Sequence, residues 1–442
     1  MENRTILPNI REWETRLLPG VRLHREDLPL LNQLTGPNGR VEIDELREGV
    51  RIRAKSWVGV LSFHEFEVRI VPKLAGGNLG LVDLIMYTSG LSALKRQSGL
   101  RTLDFDRRGS LFDLLALLFA QSCEHILAEG LLYDYIPMED DLPILRGRLL
   151  VDQQIRRRMG RVDRLECRFD DHSSNTIENQ LLAVALLKCS RLVSDRVVLN
   201  QIKRLFSVFN EACDASELDL TTARSDLFYN RLNSHYKEGH DLAWLILEGL
   251  GLENLFASGK TRSFAFLLDM NRLFEVFIYK LVAQLLRGQD CDVHYQRHDG
   301  SIIWDFFRNR SYAQVIPDLL VTQDRPAPAR LAIDAKYKLY DEHKVNSGDI
   351  YQVFLYAYAY NLAAQQHPIA LLLYPTEQKT EHQAALTIRA LSQLPGARIN
   401  LIGINIPQTL NELRSQPGEN LRSLTDNILS ALGRVNSLAA AS

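Results

Sequence analysis

The hydrophobic period of this chain changes twice along its 442 residues, and that change limits the folds open to it. Residues 50–63 (VRIRAKSWVGVLSF) and 66–74 (FEVRIVPKL) alternate apolar and polar side chains, with turn chemistry at TGPNGR (35–40) and an exit at AGGNLG (75–80). Alternation at period two, broken by Gly, Pro and Asn, predicts a small antiparallel β-rich domain over residues 1–80. Over residues 81–258 the apolar positions recur every three or four residues, as in LFDLLALLFA (111–120), NQLLAVALLKCSRLV (179–193) and HDLAWLILEGLGL (240–252). That period predicts a helical middle domain of short helices and polar loops. From 259 to 442 the two periods interleave, which predicts a mixed α/β domain and a multidomain α+β chain overall.

Composition narrows the function classes. A formal net charge of −2 gives no bulk attraction for a polyanion. A local basic channel remains compatible with it. The five cysteines, at 123, 167, 189, 213 and 291, form no CxxC pair, so neither a zinc site nor an iron–sulfur cluster has sequence support. The N-terminal MENRTILPNIREWETR is polar where a secretory signal would be apolar, and the ten-residue apolar stretch 111–120 is too short to cross a bilayer. A cytoplasmic protein with no membrane partner is expected. Residues 146–168 carry eight arginines. They form either a solvated helix face or a contact for phosphate or a partner, since guanidinium forks suit both phosphate and carboxylate.

The segment RLAIDAKYKLY (330–340) reads as a strand, yet Asp334 and Lys336 fall two apart on one face, opposite Leu331, Ile333 and Ala335. Either the pair faces water on an edge strand, or it faces a cleft where charge is wanted, because an unpartnered buried charge is costly. Upstream, YAQVIPDLLVT (312–322) reads as one strand carrying Pro317 and Asp318; proline lacks the ladder donor, which places this strand at an edge or distorts it beside Asp318. Two antiparallel strands joined by the Pro-containing loop TQDRPAPARL (322–331) can set Asp318 and Asp334 side by side. Carboxylates that close repel unless protonation or a cation relieves them, and Mg²⁺, which takes oxygen ligands and keeps waters, is the natural relief. Lys336 then neutralises a phosphoryl oxygen or positions water, which is the composition of a phosphodiesterase site. Two other acid-x-Lys triplets, Glu342-His343-Lys344 and Glu377-Gln378-Lys379, sit in polar, loop-like surroundings.

Two helices complete the constellation. FLLDMNRLFEVFIYKLVAQLLR (266–287) has an apolar stripe of Phe274, Phe277, Ile278, Leu281 and Leu285 with Glu275 on its margin. GDIYQVFLYAYAYNLA (348–363) sets Gln352 and Tyr356 four apart on one face. An aromatic stripe packed on the sheet accounts for Phe354, Tyr358 and Tyr360, whereas the Gln352 amide needs hydrogen-bond partners, which a DNA backbone or a water on the metal would supply. Strands at 369–375 and 398–407 give the order helix, hairpin strands, helix, strand, helix, strand.

Together Glu275, Pro317-Asp318, Asp334-Ala335-Lys336 and Gln352-x-x-x-Tyr356 resemble the PD-(D/E)xK nuclease superfamily. LLDMNRLFEVFIYKL, VIPDLLV, AIDAKYK and YQVFLYAYAY more closely resemble the McrC family, the nuclease subunit of McrBC-type modification-dependent restriction systems. KSWVGVLSFHEFEVRIVPKL, and RGRL followed by CRFDDHSSNTIENQLLAVAL, are similar to that family too. The resemblance implies a C-terminal restriction-endonuclease-like domain with a mixed central sheet. It implies Mg²⁺-dependent DNA endonuclease activity, exerted on docking to a McrB-like AAA+ GTPase hexamer whose hydrolysis the chain stimulates. It further implies Asp318, Asp334 and the Ala335 carbonyl as metal ligands, Lys336 for charge stabilisation, Glu275 as an outer-shell or second-metal acid, and Gln352 and Tyr356 as orienting groups. The chain has no GxxxxGK[ST] of its own, so the motor is another chain. A non-catalytic activator of an AAA+ ring and a stand-alone RecB-like repair nuclease remain as alternatives.

Overall fold

A computed structural model describes residues 5–36, 39–89, 111–159, 161, 163–250, 263–325, 327–338, 340–341, 343–360, 368–378, 383–389, 395–415 and 418–433. Contacts divide the chain into two compact units. One is residues 1–92 with 262–442, and the other is 93–261. The segments expected as separate first and third domains thus share a unit, for a reason visible in strand pairing below.

The N-terminal segment holds strands β1 (Thr5–Ile6), β2 (Ile10–Arg11), β3 (Thr15–Pro19), β4 (Val41–Leu46), β5 (Gly49–Ala54), β6 (Trp57–Ser62) and β7 (Phe66–Val71), with helices α1 (Leu28–Leu34) and α2 (Gly77–Ser89). The alternating stretch 50–63 is two strands in two sheets. β5 pairs antiparallel with β3 and β4, while β6 pairs antiparallel with β7. The expected all-antiparallel pattern does not hold, because β1 and β2 add to β7 in parallel. Inward residues of both sheets, among them Val50, Ile52, Leu61, Phe63, Phe66 and Val68, form one core.

The central unit contains α3 (Leu111–Glu129), α4 (Val151–Arg158), α5 (Ile177–Leu192), α6 (Arg196–Ala212), α7 (Leu220–Asp226) and α8 (Lys237–Leu250). It also contains a three-stranded sheet of β8 (Asp134–Leu142), β9 (Arg148–Leu149) and β10 (Leu165–Ser173), so this region is not purely helical. β10 contributes alternating charges, Arg168 pairing with Glu139 of β8 and Glu166 with Arg157 and Arg158 of α4, and ion pairs in place of an apolar stripe hide that face from a hydrophobic period. α3 runs 19 residues, well beyond the ten-residue stretch noted above, and is long and apolar enough to span a bilayer. Most of it is buried against α5, α6 and α8.

In the C-terminal segment, β11 (Phe264–Asp269) pairs antiparallel with β6, completing the N-terminal sheet. Residues 266–269, expected to open a helix, are therefore strand. α9 (Met270–Leu285) begins only after Asp269, whose carboxylate accepts the Asn271 N–H at 3.0 Å as an N-cap. Then follow β12 (Asp292–Tyr295), β13 (Asp299–Asp305), β14 (Arg310–Val315), β15 (Leu319–Gln323), β16 (Ala329–Ala335), α10 (Ser347–Ala359), β17 (Ile369–Pro375), β18 (Gln383–Arg389), β19 (Pro395–Ile404), α11 (Ile406–Arg414) and α12 (Glu419–Ala431). Six of these strands form one mixed sheet in the order β12-β15-β16-β17-β19-β18, in which β16–β17 and β17–β19 are parallel. The helix expected between residues 375 and 398 is absent among the described residues; β18 lies there instead, antiparallel to β19. α10 covers β17 and β19 through Val353 and Ala357, while α2 packs on α9 and α11.

Candidate active site

The stretch 312–322 is not one strand. β14 ends at Val315 in a two-stranded hairpin with β13, and β15 starts at Leu319 in the large sheet. Residues 316–318 are the break, as proline's missing N–H and restricted predecessor require. β15 and β16 pair antiparallel with Leu319 opposite Ile333, so the same register sets Asp318 opposite Asp334. β16 is an interior strand flanked on its other side by β17, with Asp334 opposite Leu372. The edge-strand alternative for Asp334 therefore falls. Its side chain is 0 % exposed.

The acids and the lysine converge. Asp318 Oδ2 accepts the Ala335 N–H at 2.8 Å. Lys336 Nζ donates to Asp334 Oδ1 at 3.1 Å and lies 3.9 Å from Asp318 Oδ2. Asp334 Oδ2 is within 3.1 Å of the same ammonium but finds no hydrogen bond, and it is buried. One cation thus faces two carboxylates. Burial, followed by the Asp318 charge, pushes Asp334 up to about 7, with Lys336 only partly offsetting them. Burial also raises Asp318, against the pull of Lys336 and the Ala335 N–H, so the two acids titrate as a pair. Burial opposes the charge on Lys336, but Asp334 and Asp318 outweigh it and raise the ammonium's pKa.

Glu275 joins the cluster from α9. Its Oε2 accepts from Gln296 Nε2 at 3.3 Å, and the Gln296 N–H donates to the Asp318 carbonyl at 2.9 Å. Burial, then the charge of Asp318, raises Glu275 to about 7. Gln296 escaped sequence reasoning: it follows β12 as an ordinary polar residue, and only its φ of 46° and the β12–β15 pairing bring it between the two acids.

Gln352 and Tyr356 arrive together. Gln352 Nε2 donates to the Tyr356 hydroxyl at 2.7 Å, and that hydroxyl donates to the Ile316 carbonyl at 2.9 Å. The amide's partner is therefore within the protein, and the chain of bonds fastens α10 to the break that precedes Asp318. Of the expected aromatic stripe, Tyr360 is buried and Phe354 partly so, while Tyr358 is 70 % exposed and meets Phe354 at 6.5 Å between ring centroids. A second lysine, Lys338, donates to Asp349 at 2.5 Å, and the Tyr340 hydroxyl donates to the same carboxylate, tying the segment after β16 to the first turn of α10. Glu342 and Lys379 of the two other triplets lie outside the described residues.

Among the described residues no three His, Cys, Asp or Glu side chains converge closely enough to cage an ion. The site offers instead two opposed carboxylates. That donor set fits a hard, largely hydrated cation such as Mg²⁺, and Asp334 Oδ2, which accepts no hydrogen bond beside its ion pair with Lys336, is an oxygen such an ion would satisfy.

A family profile described as McrBC 5-methylcytosine restriction system component matches residues 52–375. No curated protein matches the chain. Among solved structures, a chain of the refined half-complex from a tetradecameric assembly of Thermococcus gammatolerans McrB AAA+ hexamers with bound McrC is similar. The TM-score is 0.55 at 15 % identity, over 92 % of this chain and 100 % of that one. A chain of the Thermococcus gammatolerans McrBC complex gives a TM-score of 0.46 at 18 % identity, over 64 % of this chain and 88 % of that one.

Proposed function

The chain belongs to the family of McrBC 5-methylcytosine restriction system components, and from that premise we propose that it is the McrC-type subunit that hydrolyses DNA phosphodiester bonds with Mg²⁺. The observation that carries this reading is the meeting of Asp318, Asp334 and Lys336 within 4 Å at the end of one interior hairpin, with Glu275 linked through Gln296. Asp318, Asp334 and the Ala335 carbonyl would hold the ion in a C-terminal domain of PD-(D/E)xK type. The chemistry a bound Mg²⁺ supplies is charge for the phosphoryl oxygen and acidification of water. Lys336, kept cationic by both aspartates, stabilises the charge that develops on the phosphoryl oxygen. Glu275, at about 7, can hold or release a proton near neutrality as an outer-shell or second-metal acid. Gln352 and Tyr356 hold the Asp318 backbone in place from behind.

Cleavage by this reading requires docking on a McrB-like AAA+ GTPase hexamer, whose nucleotide hydrolysis the chain stimulates, and the central unit is the docking element. Its Arg-rich segment favours a protein partner over phosphate. Arg146, Arg157, Arg158, Arg161, Arg164 and Arg168 already pair with Asp171, Glu166, Asp141, Asp163, Asp141 and Glu139 respectively. Ile144 and Leu145 just before it, and Val151, Ile155 and Met159 within it, are exposed. Apolar residues inside a neutralised charge lattice suit a protein interface. The deciding experiment is nicking of supercoiled plasmid by the complex reconstituted with a McrB-type partner, with Mg²⁺ and with EDTA. Mg²⁺-dependent nicking that disappears in Asp334→Asn supports the reading; equal nicking by that variant removes the acid pair from the chemistry. Stimulated nucleotide hydrolysis without any cutting would leave only the role of activator.

A further inference from the structure

The β13–β14 hairpin ends in a four-residue turn, Phe306-Phe307-Arg308-Asn309, that no role above uses. Phe306 is 86 % and Phe307 97 % exposed, and their rings meet edge to face at 6.0 Å between centroids. Trp304 and Tyr312 beside them are also exposed. Two bare phenylalanines at one tip are costly in water unless something covers them.

The turn is set rather than slack. Asp305 Oδ1 accepts the Arg308 N–H at 3.0 Å, and Asn309 takes the left-handed φ of 47° that closes the turn. At its base the hairpin is seated on the nuclease sheet, where Ile302, Ile303 and Val315 pack with Leu320, Tyr356 and Tyr360. The irregular register between Ile303 and Trp304, with Tyr312 as the extra residue, is a bulge of the kind that re-aims side chains. Charge is what selects the occupant. Asp305 is engaged by Arg308, and Asp299 by the Ser301 N–H and hydroxyl, whereas Arg310 pairs with no carboxylate among the described residues. A second copy docking tip to tip across a two-fold would set Arg310 against its own like charge. A polyanion with stacked aromatic faces takes both the cation and the rings.

We propose that this tip is a DNA wedge: Phe306 and Phe307 enter a base step while Arg310 holds a flanking phosphate. The proposal rests on the reading of the chain as a DNA-cleaving subunit and adds how the substrate is gripped. Twelve residues separate Phe306 from Asp318, six of them in β14, so the wedge lies at most about 40 Å from the acid pair. At roughly 3.4 Å per base pair that is at most about twelve base pairs from the scissile phosphate. An entering ring unstacks and kinks the duplex, which would hold it against the site.

The test uses the full-length chain, with Ca²⁺ in place of Mg²⁺, on fluorescein-labelled duplexes and on duplexes carrying 2-aminopurine at successive steps. The wild type is expected to bind and to raise 2-aminopurine fluorescence at one confined step. The Phe306→Ala/Phe307→Ala variant is expected to lose that rise and to bind roughly ten- to a hundredfold more weakly. Arg310→Ala is expected to keep the rise while lowering the slope of log affinity against log salt by about 1. The phenylalanines lie on the exposed turn and Arg310 is the exposed first residue of β14, and an unchanged circular dichroism melt confirms that the variants fold. Equal DNA binding by the phenylalanine variant overturns the wedge, as does no binding by the wild type. A shift from dimer to monomer in light scattering with DNA affinity intact would reassign the tip to self-association. Asp334→Asn separates the two readings. If it binds and unstacks DNA like the wild type but neither protein ever cuts with partner and Mg²⁺, hydrolysis falls and the wedge stands. If the wild type cuts while the phenylalanine variant binds and cuts equally well, the wedge falls alone.

Discussion

Asp334 is buried opposite a second acid with one lysine between them, so removing its charge should relieve the fold while disabling the site. We expect Asp334→Asn to lower plasmid cleavage at least about 100-fold while leaving the metal-free melting temperature unchanged or higher. A fall in melting temperature would mean that Lys336 depends on that carboxylate more than the acids repel. Tyr356→Phe keeps the ring but strips the Ile316 carbonyl and the Gln352 amide of a shared partner. We expect a loss of about 1–2 kcal/mol in urea unfolding, and slower cleavage because the Asp318 backbone loosens. Glu12, far along the sequence from these residues, has a testable titration of its own. It is buried at 2 % exposure, takes the Lys73 N–H at 2.8 Å and the Tyr337 hydroxyl at 3.1 Å, and burial raises it from 4.5 to about 7. A carboxyl raised on folding gives stability that is full below about pH 4.5 and is lost as pH rises through about 7. The wild type should therefore melt at progressively lower temperature across that window, and Glu12→Gln should flatten the slope. An equal slope in the variant would assign the effect to the other raised acids.

At the scale of elements, Gly59 decides whether the first and last thirds of the chain join. It sits in β6 opposite Leu267 with φ of 146°, and a Cβ there would meet the Phe266 carbonyl oxygen at 1.9 Å. Gly59→Ala should cost about 3 kcal/mol, read as a lower urea midpoint, because it combines backbone strain with loss of β6–β11 pairing. An unchanged midpoint would mean that β11 can shift without penalty. That pairing also marks the limit of what the sequence discloses. The hairpin β15–β16 was legible because a single Pro-Asp and a single strand-embedded Asp-Ala-Lys stood at hairpin separation, and α10 was legible from its Gln-to-Tyr spacing. β11 was not, since FAFLLD is an apolar run that suits strand or helix equally and only β6 settles it. β18 and the β8–β10 sheet were missed for related reasons: QAALTIR sits among helix formers, and the charged strand faces are held by ion pairs across strands rather than by a buried stripe. Gln296 and Asp349 act through positions that no local pattern announces.

For the whole molecule, the central 93–261 segment is an insertion between α2 and β11 of one unit, which makes a sharp expectation. A chain in which a flexible Gly-Ser linker replaces residues 93–261 should keep a single cooperative unfolding transition and near-ultraviolet dichroism, while losing stimulation of the partner's nucleotide hydrolysis. Loss of cooperativity would mean that the flanking segments need the insertion to fold. Residues 1–80 alone should instead be poorly folded, since β6 then lacks its neighbour. The same arrangement governs birth on the ribosome. The free side of β6 emerges early but cannot be sealed until residues 264–269 have been translated, and Glu12 waits 325 positions for the Tyr337 hydroxyl. Through nearly half of synthesis, then, a nascent chain carries an open sheet margin that invites aggregation and calls for chaperone cover. The acid pair arrives later still, so an unfinished polypeptide carries neither the sealed margin nor the proposed site.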